Sequence, residues 1–195
     1  MEKQVSFTGN VLALDLATVT GWCFGRPGKV PVFGHTRFIK PGGSRAAAYR
    51  AFREWLETIC EMRKEKPDLI VFESPAIPSI MAGKTNIDTI KLLIGLAENL
   101  EEFCHDYVEL REASVGQVRS HFIGQNLKAA IAKPMVMERC QALGWNVADY
   151  DEADACALWD YQCCHLRPDL GVKSTPLFAQ KRAGPKPRPS KDTLF

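Results

Sequence analysis

The chain has 195 residues, 46% of them apolar and 25% charged, with a formal net charge of +2, the make-up of one globular domain with a full hydrophobic core plus an extension. No apolar run approaches the ~20 residues of a membrane-spanning helix, and residues 1–10 lack the basic-then-apolar layout of a signal peptide, so a cytoplasmic protein without a membrane partner is expected. Seven cysteines, an odd number lying mostly in apolar stretches, fit reduced core thiols rather than a disulfide scaffold.

Val11-Leu12-Ala13-Leu14 reads as a buried strand closed by Asp15, followed by a turn and a second strand over residues 21–25. After the turn-rich stretch 26–31, a third strand is expected over 32–39. Ser44 suits the cap of a helix whose apolar residues Phe52, Trp55, Leu56 and Ile59 recur at helical spacing. Pro67-Asp68 ends it. Leu69-Ile70-Val71-Phe72 is continuously apolar, as in a strand buried on both faces, and Glu73 closes it before Pro75 turns the chain out of the sheet.

A long helix is expected over 85–104, with Ile90, Leu93, Ile94, Ala97, Leu100 and Cys104 as its buried stripe, and a fifth strand over 107–110. Shorter helices follow over 114–122 and 134–143, the latter with Pro134 in its first turn and Gly144 as its stop. The last helix is expected over 151–164. Three strands joined by tight turns, then helix, strand, helix, strand and helices, describe an α/β domain over 1–166 with a mixed five-stranded sheet flanked by helices. Residues 167–195 hold seven basic residues against two acidic ones, and five prolines. Such a segment builds no core. It is expected to be a disordered tail, either solubilising or a basic arm for a polyanion. Its +5 leaves about −3 on the domain.

Four carboxylates carry the functional signal. Asp15, Glu73, Asp151 and Asp154 sit where apolar segments end, and an acid beside a strand core resists burial unless a cation compensates it. Taken singly, each has an ordinary explanation. Asp15 can bond turn amides, Glu73 can be solvated, and Asp151 with Asp154 can form a capping box. Together they are a hard oxygen donor set of the kind that holds Mg²⁺ or Mn²⁺, able to seat two ions ~3.5–4 Å apart for phosphoryl transfer. Cys163-Cys164-His165 has the wrong spacing for zinc and reads as a helix end. None of His35, His105, His121 or His165 has a serine or acid partner at motif spacing.

Asp15…Thr20-Gly21-Trp22, Phe72-Glu73 and the closing Asp151-Glu152-Ala153-Asp154-Ala155-Cys156-Ala157-Leu158 occur in the order of the RNase H-like nuclease superfamily. Over residues 10–165 the chain resembles its RuvC-type Holliday junction resolvases, more closely those carried by bacteriophages. The resemblance implies an RNase H-like fold and a homodimer, with residues 85–104 as the dimer surface. It implies a Mg²⁺-dependent endonuclease that nicks branched DNA, with Asp15, Glu73, Asp151 and Asp154 as metal ligands, leaving 5′-phosphate and 3′-hydroxyl ends. It also makes Arg119, in Gln117-Val118-Arg119, and Lys133, in Ala132-Lys133-Pro134, groups that face the scissile phosphate, Lys133 with a catalytic part; Lys84, Lys91 and Lys128 are weaker DNA-binding candidates.

Two departures matter. Ala17-Thr18 replaces the Pro-Gly-Ser of cellular resolvases in a shorter turn, and no aromatic wedge follows Glu73, which leaves Ile77 or Met81 for that part. Cleavage of forks and flaps beside four-way junctions is the corresponding expectation. The alternatives are an RNase H-like nuclease that processes ribosomal RNA precursors and a scaffold that binds branched DNA without cutting it.

Overall fold

The computed structural model describes residues 7–61, 65–74 and 87–170. The two most apolar strands lie at its centre: β1 (Val11–Asp15) and β4 (Leu69–Glu73) run parallel, with Val11 beside Leu69 and Leu14 beside Phe72. β2 (Thr20–Gly25) and β3 (Val32–Thr36) extend the sheet antiparallel on one side, and β5 (Glu109–Ala113) extends it parallel on the other. The order β3-β2-β1-β4-β5 is the mixed five-stranded sheet of an RNase H-like α/β fold.

Successive side chains of a strand point to opposite faces, and the central strands feed two separate cores. Val11, Ala13, Leu69 and Val71 pack beneath α3 (Val115–Ile123), α4 (Ala129–Ala142) and α5 (Tyr150–Leu166). Leu12, Leu14, Ile70 and Phe72 pack beneath α1 (Arg45–Glu61) and α2 (Ile87–Tyr107). α5 is buried almost all round, and its Ala153, Ala155, Cys156 and Ala157 are small enough to let its backbone lie close on the sheet. None of the seven cysteines is in a disulfide, and six of them are buried. Among the described residues no helix is long and apolar enough to cross a membrane.

Several boundaries differ from the sequence expectation. β3 stops at Thr36, opposite Thr20, where β2 offers no further partner; Phe38 instead packs edge-on against Phe52 and Trp55 of α1, at 5.1 and 5.6 Å. α2 keeps Tyr107, whose ring stacks on Phe103 at 5.0 Å, so β5 begins two residues later than expected. α4 starts at Ala129, which puts Pro134 inside the helix rather than in its first turn. α5 is entered through Asp149 and starts at Tyr150 rather than Asp151.

Candidate active site

Strand parity puts two acids on one face. Asp15 continues the series Val11, Ala13, and Glu73 continues Leu69, Val71, so both carboxylates point toward the face that α5 covers. The parallel register makes them neighbours, one step beyond the pair Leu14 and Phe72.

The other two acids come from the first turns of α5. Its capping is done by different residues: Asp149 accepts the Glu152 N–H at 2.9 Å, and the Glu152 carboxylate reaches back to the Ala148 N–H at 2.7 Å. His35 Nδ1 lies 2.9 Å from Asp149 and 3.1 Å from Glu152, tying this cap to β3. Asp151 and Asp154 are therefore released from the capping that their spacing suggested. Gly21, opposite Asp15 in the β1–β2 pair, makes the approach possible, because a Cβ there would lie 1.9 Å from the Asp151 carbonyl oxygen. No side chain fits between this strand and the helix.

Asp15 and Asp154 link the four carboxylates electrostatically. Burial pushes the Asp15 carboxyl up to about 7, helped by Asp154 and Asp151, while Lys133 and Arg119 oppose the shift. Glu73 is pushed up to about 8 by burial, Asp15 and Asp154. Asp151 and Asp154 are also raised, chiefly by burial. Lys133 Nζ lies 3.4 Å from Asp154 and 5.8 Å from the centre of the Tyr150 ring. Arg119 is held by a 3.1 Å bond from Nη1 to the Leu127 carbonyl, and its charge reaches Asp15, Glu73 and Asp154. Burial and mutual repulsion therefore hold Asp15 and Glu73 partly protonated near neutral pH, and full ionisation of the four acids calls for a further cation beside Lys133 and Arg119. A divalent cation with oxygen ligands matches that donor set and would favour the ionised form of each acid.

The structure thus brings Asp15, Glu73, Asp151, Asp154, Arg119 and Lys133 together. Lys133 lies one turn inside α4 instead of at its start. Lys91 and Lys128 are exposed, and neither ranks among the main electrostatic influences on the acids. Lys84, Ile77 and Met81 lie outside the described residues, as does the chain beyond Leu170.

Sequence spacing missed the partners of two histidines. His35, on the α5 face opposite Gly21, and Arg37 both act on Asp151; the only advance signal was strand parity. His121 Nε2 lies 2.9 Å from Asp160 Oδ2, 39 residues away, and with Cys164 they form a cluster able to coordinate a metal ion. His35, Asp149 and Glu152 form a second such cluster.

No protein-family model matches the chain, and no curated protein sequence does. Solved structures do. The chain is similar to Thermus thermophilus RuvC in complex with its Holliday junction substrate, with a TM-score of 0.60 at 11% identity over 83% of this chain and 97% of that one. It is similar to T. thermophilus RuvC in a separate structure, with a TM-score of 0.56 at 16% identity and the same coverage. The yeast mitochondrial Holliday junction resolvase gives 0.56 at 17% identity, over 88% of this chain and 87% of that one. At these identities the likeness establishes a shared fold.

Proposed function

We propose that the protein is a metal-dependent, structure-selective endodeoxyribonuclease, of the kind carried by bacteriophages, that resolves Holliday junctions and related branched DNA by paired nicks. One observation carries the reading: four carboxylates from three separate elements lie toward the same end of the central strands and act on one another's ionisation through Asp15 and Asp154, as Lys133 and Arg119 also do. Asp15, Glu73, Asp151 and Asp154 would hold Mg²⁺, with Mn²⁺ as a substitute, in a two-ion site. Metal bound there would supply activation of water and neutralisation of charge on the 3′ oxygen that leaves a phosphodiester.

The protein's own groups do the rest. Asp15 and Glu73, raised to about 7 and 8 in the metal-free pocket, give up their protons as ligands. Lys133, close to Asp154 but 35% exposed, is placed to turn toward an incoming phosphate and stabilise charge that grows in the transition state. Arg119, anchored by Leu127, presents a fixed guanidinium to the same group. Lys84, Lys91 and Lys128 contribute sequence-independent contacts to the DNA arms. Two nicks on a two-fold junction call for two related sites, hence a homodimer built on α2.

The test is incubation of labelled four-way junction, fork and linear duplex with Mg²⁺ and with EDTA. Cleavage of branched substrates in Mg²⁺ alone is expected. Equal cutting of linear duplex, or no cutting of any substrate, overturns the reading.

A further inference from the structure

Far along α5 from the four acids, three side chains of different chemistry converge. Asp160 and Cys164 stand one helical turn apart on α5, and His121 reaches them from α3. One donor atom from each lies within 4.8 Å of the others. With a rise of 1.5 Å per residue, Asp160 is ~9 Å and Cys164 ~15 Å beyond Asp154 along the helix, so the cluster is separate from the candidate active site. The His121 and Asp160 side chains are only 13% and 10% exposed, and the Tyr161 ring meets the imidazole edge-to-face at 5.6 Å. Rotamers here are confined by packing, as a preformed site requires.

We propose that His121, Asp160 and Cys164 bind a borderline transition-metal ion of the Zn²⁺ class, which staples α3 to α5 independently of the four-acid centre. The donor set decides the class of ion. Imidazole nitrogen, carboxylate oxygen and thiolate sulfur suit Zn²⁺ and its neighbours, whereas Mg²⁺ takes oxygen ligands and keeps much of its water. Tetrahedral zinc with bonds of 2.0–2.3 Å needs donors ~3.3–3.8 Å apart, which small side-chain rotations reach from the observed spacing. Three protein ligands leave a fourth position for water. A cavity of about 150 Å³ adjoins two of the three donors: Asp160 and Cys164 line it, with Trp145, Trp159, Leu170 and one cationic residue, Lys29, and an ion could enter from that side.

Without an ion, the cluster is a proton-linked pair. Burial would lower the His121 pKa, but hydrogen bonds to Asp160 and Cys164 outweigh it and raise it to about 9. An entering ion displaces that proton and the Cys164 thiol proton, both released to solvent, and takes over the attraction of Asp160 for a positive charge. The staple would also fix the half of α3 that carries Arg119, two residues before His121. The inference does not depend on the nuclease reading.

The experiment is titration of the reduced full-length protein with Co²⁺ in excess Mg²⁺, which occupies oxygen-only sites. A thiolate-to-cobalt charge-transfer band that saturates at one ion per chain and is displaced by Zn²⁺ is expected. Cys164→Ser should abolish the band. His121→Gln should weaken binding by more than the ~10–100-fold that follows loss of an outer-shell partner. Asp15→Asn should leave the band unchanged, and far-ultraviolet circular dichroism checks the fold of each variant. Absence of the band in the wild-type protein overturns the proposal without reference to any variant. So does a band that survives Cys164→Ser or disappears in Asp15→Asn.

Discussion

Asp15 and Glu73 illustrate how a carboxylate can be costly to a fold and still be placed with care. In the unfolded chain they release protons near 3.8 and 4.5; in the folded, metal-free protein they hold them to about 7 and 8. Between about pH 4 and 8 the folded state therefore binds more protons, and stability falls as pH rises through that window. In EDTA the melting temperature should drop from pH 5 to pH 8.5, and Mg²⁺ should recover it most at the alkaline end, where the ligands are ionised. Asp15→Asn should flatten the pH dependence and raise metal-free stability at pH 8.5 by about 1–3 kcal/mol, while removing cleavage. A melting temperature independent of pH in EDTA would contradict the electrostatic account. Lys133 supplies a second prediction. Lys133→Ala should slow cleavage at saturating DNA by about 10²-fold while changing affinity far less, since a charge beside the reacting phosphate stabilises the transition state above the ground state. Equal single-turnover rates would remove Lys133 from the reaction.

The first turn of α5 and the β1–β2 hairpin form the element-scale device. Asp149 and Glu152 do the capping, and Asp151 and Asp154 face the acids of the sheet. The two pairs should therefore separate on substitution. Asp149→Ala should cost about 1 kcal/mol of stability, the usual worth of an N-cap, whereas Asp151→Asn should cost little stability and abolish cleavage; thermal melts and junction-cleavage rates on the same preparations test this. Gly21→Ala probes the contact beneath them. With its Cβ 1.9 Å from the Asp151 carbonyl oxygen, the helix must move away from the sheet, at about 3 kcal/mol. Cleavage should fall with it even at temperatures where the variant remains folded. Wild-type activity and melting in Gly21→Ala would refute the close approach.

At the scale of the whole molecule, charge is divided between a mildly acidic domain and a basic end. Residues 171–195 carry six basic residues and one acid, and α5 is already complete at Leu166. Leu170 packs by Gly28 and lines the cavity beside Cys164, so the natural truncation point is after Leu170 rather than after Leu166. The shortened protein should melt as the full chain does and keep its chemistry at saturating DNA. It should bind DNA more weakly, and each lost phosphate contact should flatten the slope of log affinity against log salt by ~0.9. An unchanged slope would show that the end of the chain does not touch DNA.

The order of the elements, the mixed sheet and the place of Asp15 and Glu73 at strand ends were legible in the sequence, because apolar runs of strand length ending in an acid are a local pattern. Parity could even have been counted along Val11, Ala13, Asp15 and along Leu69, Val71, Glu73. Boundaries governed by tertiary partners were not legible. Phe38 left β3 for the rings of α1, and α4 extended upstream past Pro134, with Lys133 one turn inside it. Nor could spacing divide the acids at the start of α5 between capping and the cluster, because that depends on which face of the helix meets the sheet, and Gly21 settles it from 130 residues away. His121 found Asp160 for the same reason: packing, not chain distance, sets which titratable groups share a low-dielectric space. The sequence alone determined which residue types lie at the ends of buried strands. Only the tertiary structure decided which of them face one another, because that choice is made by the register of the sheet and the seating of α5 upon it.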